Sequence, residues 1–290
     1  MFEGILTAIV TPFKNNLIDQ KAYEKLVEEQ IKAGIHGIVP CGTTGESPTL
    51  SKDEKKTLIS LTIKIVNGRV PVVAGTGTND TRASVEMTEW AKKAGADGAL
   101  VVVPYYNKPT QKGLYYHFKE VASVGIPIVV YNVPSRTITS ITPETMGKLS
   151  EFSNIVGLKE ATGDAKLGAE FIKATKEKVT LLSGDDGTFF DLMKIGCKGC
   201  ISVVSNIVPK EMVELFALGM KKEFTKGEII NKKLLPLIKA LFIESNPIPV
   251  KHALSSMGKI SAELRLPLTA MEEDHLASLK SALKDARLIS

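Results

Sequence analysis

The stretch "IVGLKEATGD", Ile155 to Asp164, decides how this chain is read. Ile155, Val156 and Leu158 form a short apolar run that ends abruptly in Lys159 and Glu160. A parallel strand covered on both faces reads this way where it delivers a side chain to its C-terminal edge. Similar runs rich in Val and Ile recur on either side: "ILTAIV" from 5, "IHGIVP" from 35, "PVVAG" from 71, "GALVVV" from 98, "PIVVY" from 127, "VTLLSG" from 179 and "GCISVV" from 199. Between them the period changes to that of a helix. Tyr23, Leu26, Val27, Gln30 and Ile31 share one helix face. Ser51 and Glu54 make a capping box ahead of the stripe Leu58, Leu61, Ile65 and Val66. The segment 79–95 closes on Gly95, a helix stop.

Strand and helix patterns therefore alternate, without a long unstructured gap. This is the signature of parallel βα units. An open doubly wound sheet could carry it, but eight such units in about 205 residues is the count of a (β/α)8 TIM barrel, an α/β fold. The last ~70 residues hold no further strand run. "EMVELFALGMKK", "LLPLIKALFI", "IPVKHALSSMG" and "EEDHLASLKSALKDA" read as helices. The expected organisation is a barrel over residues 1–220 and a C-terminal helical extension over 221–290, within one domain.

Composition excludes several classes. The 290 residues are 43% hydrophobic and 24% charged, with a net charge of +5, which is ordinary for a soluble globular chain. The densest basic segment, 220–233, is interrupted by Glu223 and Glu228 and reads as a solvated helix face, so no nucleic-acid partner is expected. No apolar run approaches the ~18 residues of a membrane span. "MFEGILTAIVTPF" has neither a basic start nor a small-residue cleavage site, and the expected compartment is the cytoplasm. Cys197 and Cys200 form a C-x-x-C with no second ligand pair nearby, so they read as small buried thiols.

In a barrel the chemistry lies at the C-terminal strand ends. Those ends read "PCGTTGE", "VVVPYYNKP", "VVYNVPSRT", "GLKEATGD", "LLSGDDG" and "SVVSN". They carry hydroxyls, tyrosines, Arg136 and Lys159, but no histidine. His36, His117, His252 and His275 fall at a strand start or in helical segments, and adjacent Asp185 and Asp186 cannot both point inward, so no metal site is expected. "GTGTND" has Asp80 where a dinucleotide fingerprint needs glycine, and "GTTGES" lacks the G-K-[ST] of a phosphate loop.

A lysine with neither metal nor nucleotide suits Schiff-base chemistry on a carbonyl substrate. The amine attacks when neutral, and free lysine titrates at ~10.4, so a reactive lysine needs a desolvated position or a neighbouring cation. Tyr131, ending the adjacent strand, can carry protons to and from oxygen. Thr43 and Thr44 add hydroxyls, and the planar fork of Arg136 suits a carboxylate. Singly, Tyr131 also reads as a barrel-lining residue, the threonines as turn residues and Arg136 as a surface charge.

Five motifs together resemble the dihydrodipicolinate synthases of the dihydrodipicolinate synthase / N-acetylneuraminate lyase family: "GTTGES" (42–47), "PYYNKPTQKGLYYHF" (104–118), "YNVPSRT" (131–137), "GLKEATGD" (157–164) and "GDDGTFF" (184–190). "ESNPIPVKHAL" near the C-terminus extends the likeness along the whole chain. The resemblance implies a lyase that condenses pyruvate with aspartate semialdehyde to 4-hydroxy-tetrahydrodipicolinate, opening the lysine (diaminopimelate) branch. It implies Lys159 as the Schiff-base residue, with no further cofactor. Tyr131 would shuttle protons, linked through Thr43 to Tyr106 of a neighbouring subunit. Thr44 and the backbone at Gly184 and Ile201 would seat pyruvate, and Arg136 would hold the second substrate's carboxylate. The assembly implied is a homotetramer, a dimer of dimers, with Tyr106 shared across the tight interface.

The same family holds N-acetylneuraminate lyases and 2-keto-3-deoxy sugar acid aldolases. The hydroxyl loop after Gly42, G-T-T-G-E here where the sialic acid enzymes have G-S-T-G-E, and Arg136 both point to aspartate semialdehyde. A catalytically silent ligand sensor is the reading from another class, and the intact Lys159, Tyr131, Thr43 and Tyr106 set speaks against it. Lysine-inhibited relatives carry histidines and a glutamate at an effector site where this chain has Lys52, Lys55 and Ala83. Weak or absent lysine feedback is therefore expected. No role beyond packing is legible for "SNPIPVK" (245–251).

Overall fold

A computed structural model describes residues 2–290. Each Val/Ile-rich run forms a strand: β1 (Gly4–Ala8), β2 (Gly37–Val39), β3 (Val73–Gly75), β4 (Gly98–Val102), β5 (Ile128–Asn132), β6 (Ile155–Glu160), β7 (Thr180–Ser183) and β8 (Gly199–Ser202). Their order in the sheet is β2-β1-β8-β7-β6-β5-β4-β3. Every neighbouring pair is parallel. A parallel bridge between Ile38 and Val72 brings the two ends together. The sheet is thus a TIM barrel rather than an open doubly wound sheet.

Alternation along the strands sorts side chains between two layers. Leu6, Ala8, Val39, Val73, Leu100, Val129, Tyr131, Leu182 and Ile201 pack together inside the barrel. Val101, Ile128, Val130 and Leu158 belong to the outer layer, against helices. The first helices are α1 (Gln20–Lys32), α2 (Lys52–Val66), α3 (Thr81–Ala94) and α4 (Gln111–Ala122). The next four are α5 (Pro134–Thr137), α6 (Pro143–Leu149), α7 (Ala165–Thr175) and α8 (Phe189–Lys194). The α1 stripe is buried at Tyr23, Leu26, Val27 and Gln30, and Ile31 is half-buried. The capping box of α2 is formed: Glu54 N–H donates to Ser51 Oγ at 3.2 Å, and Ser51 N–H to Glu54 Oε2 at 2.8 Å. Gly95 ends α3 with φ of 96°.

One element was not legible in the period. Phe13–Lys14 pairs with Leu17–Ile18 as a short antiparallel hairpin. Its turn residues Asn15 and Asn16 have φ of 55° and 60°, the left-handed pair that a two-residue hairpin loop requires. Two-residue strands are too short for alternation to register.

α9 (Pro209–Met220), α10 (Phe224–Leu241), α11 (Ile248–Ser256) and α12 (Glu273–Asp285) complete the chain. Leu237, Leu241, Val250 and Leu279 share one apolar cluster with Ile5, Phe13 and Phe190 of the barrel layer. The C-terminal helices therefore have no core of their own. No helix among the described residues is long and apolar enough to cross a membrane.

The three cysteines are buried thiols. Cys197 Sγ lies 3.2 Å from Gly199 O, and Cys200 Sγ 3.7 Å from Asp186 Oδ1. Burial pushes Cys41 up to about 12 and Cys197 up to about 11, so neither supplies a ready thiolate.

A buried histidine makes stability depend on pH. His117 Nδ1 is 2.9 Å from Thr81 Oγ1, while Nε2 is buried without a partner among the described residues. Burial pushes the imidazole from 6.5 down to about 4, against a small opposing pull from Asp80. Since its value is depressed on folding, the unfolded chain binds the extra proton between those limits. Stability is thus fully present above pH 6.5 and lost as pH falls toward 4, by about 3 kcal/mol from this group. Thermal midpoints measured across that window should fall less steeply for His117→Asn, whose amide keeps the Thr81 contact. Parallel slopes would remove His117 from the acid response.

Candidate active site

Tyr131 on β5 and Lys159 on β6 are direct partners in the parallel register, and Lys159 pairs on its other side with Leu182 of β7. Gly157 and Lys159 face inward where Leu158 faces outward, so strand period alone aims the lysine into the barrel. Both side chains are only 6% exposed. Lys159 Nζ lies 4.1 Å from the centroid of the Tyr131 ring, a cation held against an aromatic face. The lysine shaft also runs against the turn after β7. A Cβ at Gly184 would meet Ala161 Cβ at 2.7 Å and Lys159 Cε at 3.0 Å. Glycine there leaves the shaft its course, and Gly184 N–H is bound to Glu160 O at 2.6 Å.

Tyr131 also lines a cavity of about 260 Å3, with Thr43, Tyr105, Arg136 and Thr137 in the same wall; Lys159, Thr44, Gly184 and Ile201 are not among its lining residues, and Lys159 adjoins it through the Tyr131 ring. Thr43 and Thr44 belong to the tight turn after β2. Gly45 N–H and Ser47 N–H both donate to Gly42 O, and Glu46 N–H donates to Thr43 O at 3.0 Å. Thr44 is buried, and its Oγ1 accepts from Asn246 Nδ2 at 3.0 Å. Arg136 reaches Asn246 as well, its Nη2 donating to the backbone oxygen at 3.1 Å. Ile201 is buried on β8 opposite Leu6.

Tyr106 stands apart. It is 88% exposed, has φ of 68°, and is absent from the cavity wall, where Tyr105 lies instead. Within one protomer its hydroxyl faces solvent.

Several supporting residues were not legible in the sequence. Glu46 Oε1 meets Lys251 Nζ at 2.5 Å, with both side chains fully buried. Asn246 and Lys251 give "SNPIPVK" a structural role beyond packing: it grips the turn that carries Thr43 and Thr44. Asp186 is buried, accepting from Ser202 Oγ and from Val203 and Val204 N–H, which anchors the chain beyond β8. Burial raises its carboxyl above the usual range. Asp185 turns elsewhere and accepts from Thr188. The only available signal for the Glu46 pair was a lysine inside the apolar run "PIPVKHAL".

The profile of the Dihydrodipicolinate synthetase family matches residues 1–286. The chain belongs to this family. It is 53% identical over 290 residues to a 4-hydroxy-tetrahydrodipicolinate synthase of Thermodesulfovibrio yellowstonii, covering 100% of both chains. It is 51% identical over 293 residues to the enzyme of the same name from Syntrophus aciditrophicus, again covering 100% of both. Among solved structures, the chloride-inhibited dihydrodipicolinate synthase of Acinetobacter baumannii complexed with pyruvate superposes with a TM-score of 0.98 at 47% identity, over 100% of both chains. In this dihydrodipicolinate synthetase family chain, then, the resemblance read from five motifs extends to the whole fold.

Proposed function

We propose that the chain condenses pyruvate with L-aspartate 4-semialdehyde to form 4-hydroxy-tetrahydrodipicolinate, with no cofactor beyond the Schiff base on Lys159. The observation that carries this reading is the inward-facing Lys159 held against Tyr131 beside a cavity lined by hydroxyls and Arg136. Lys159 Nζ attacks C2 of pyruvate, and the carbinolamine loses water to give the imine. Loss of a C3 proton gives the enamine, whose C3 bonds to the aldehyde carbon while the aldehyde oxygen takes up a proton. The amino group of the adduct then attacks C2, expels Lys159 and closes the ring. One water is released overall, and nothing is oxidised or reduced.

Tyr131 is the proton carrier in this scheme, with Thr43 as its hydroxyl partner. Thr44 and the backbone at Gly184 and Ile201 seat the pyruvate portion. Arg136 receives the semialdehyde carboxylate. The exposed Tyr106 acts from a neighbouring subunit, so the smallest active unit is a dimer, and the family likeness makes the assembly a homotetramer of two such tight dimers. The enzyme works in the cytoplasm. Turnover of both substrates by purified protein, with borohydride trapping of pyruvate on Lys159, tests the scheme. An adduct without turnover would move the second substrate to a sugar-acid aldehyde, and neither would leave a sensor.

Feedback by lysine is weak in this reading. A second cavity of about 160 Å3 is lined by Lys52, Lys55 and Ala83 among others. Lys52 Nζ is paired with Glu86 at 3.0 Å, and Lys55 adds a second positive charge. An effector ammonium would meet like charge there and find alanine at 83. Activity should persist at millimolar lysine, and strong inhibition below that would overturn the expectation.

A further inference from the structure

We infer that the buried Glu46–Lys251 ion pair is a positioning device for the pyruvate subsite, through which α11 sets the turn bearing Thr43 and Thr44. The inference rests on the aldol reading above. Glu46 has φ of 56°, a left-handed conformation unfavourable for a glutamate, at the point where the turn passes into the 3-10 turn Ser47–Thr49. Its carboxylate is gripped from two places. Oε1 accepts from Lys251 Nζ at 2.5 Å, and Oε2 accepts from Arg265 N–H at 3.1 Å. Lys251 Nζ and Arg265 Cζ each lie 4.3 Å from the Phe13 ring centroid, and Arg265 is further tied to Glu54 at 2.6 Å.

The grip is transmitted to the site by short links. Glu46 N–H holds Thr43 O, so rotation at Glu46 moves Thr43. Asn246, just ahead of the helix that carries Lys251, holds Thr44 Oγ1 and accepts from Arg136. One end of α11 thus touches Thr43 through Glu46, Thr44 through Asn246, and Arg136 through Asn246 O. Stability alone is a poor account of such a pair. Desolvating both charges offsets most of their attraction, and apolar replacements of equal size are often neutral. What apolar side chains lack is direction, and a two-point grip on one carboxylate supplies it.

The test uses the full-length protein with Glu46→Gln/Lys251→Met, which leaves no unpaired charge in the pocket, and Glu46→Gln alone, which keeps an oxygen for Arg265 N–H. Thermal midpoint, kcat, pyruvate KM and the rate of borohydride trapping of pyruvate on Lys159 are compared with wild type. The double variant should stay folded while pyruvate KM rises about tenfold or more and trapping at low pyruvate slows in proportion; Glu46→Gln, which leaves the Lys251 ammonium without its carboxylate, should raise KM at least as much and lower the thermal midpoint further. Wild-type KM and trapping rate in a folded variant would overturn the inference, since a purely structural pair would shift only the midpoint. If the double variant does not fold, Glu46→Gln decides on the same criterion; failure of both to fold assigns the pair to folding and also overturns the inference. A wild-type protein that neither traps nor turns over pyruvate defeats the aldol reading instead.

Discussion

Lys159→Ala should lower pyruvate-dependent turnover by at least about 10^4-fold and leave no borohydride-trappable adduct. The amine is the only route to the imine in the proposed scheme, so its loss removes both the electron sink that makes C3 of pyruvate nucleophilic and the leaving group of ring closure. The fold should survive. Lys159 stands at the C-terminal end of β6, and its head lies against the Tyr131 ring inside the barrel rather than in the packed outer layer. A folded variant that keeps turnover within tenfold of wild type would remove Lys159 from the chemistry and, with it, the imine mechanism.

Tyr131→Phe should cost about 10^2- to 10^4-fold in kcat, the range for losing a positioned proton carrier. Phenylalanine is the informative replacement because Tyr131 has two jobs. Its ring fills the barrel interior beside Val129 and Leu182 and carries the Lys159 ammonium on its face. Phenylalanine keeps both and deletes only the hydroxyl. The thermal midpoint should therefore stay close to wild type while imine trapping slows along with turnover. If trapping keeps its wild-type rate and only turnover falls, the phenol acts after imine formation. If neither changes, protons reach the site by another path and Tyr131 is a packing residue.

These two residues were legible because strand period is local. An apolar run ending in Lys159, beside one ending in Tyr131, already requires that both side chains reach the same barrel rim once the runs are parallel neighbours. The αβ alternation, the capping box at Ser51 and Glu54, and the stop at Gly95 are likewise contained within a few consecutive residues. Arg136 could be expected near the mouth because it follows β5 by a few positions. The Phe13–Ile18 hairpin escaped because each strand is too short to show a period.

What only the tertiary structure decided is the set of contacts that hold the site. Glu46 and Lys251 are 205 positions apart, and Thr44 and Asn246 are 202 apart. Nothing near either partner reveals the other. Glu46 reads as a turn residue and Lys251 as one more charge on a helix until the helix packs against the barrel mouth. The same holds for Tyr106, whose exposure becomes visible only when the loop after β4 is built. Local sequence sets backbone period and therefore which way a strand residue points, because those follow from dihedral preferences of neighbouring residues. Pairing of buried polar groups follows instead from which surfaces come together when the apolar layers close, and that is a property of the whole chain.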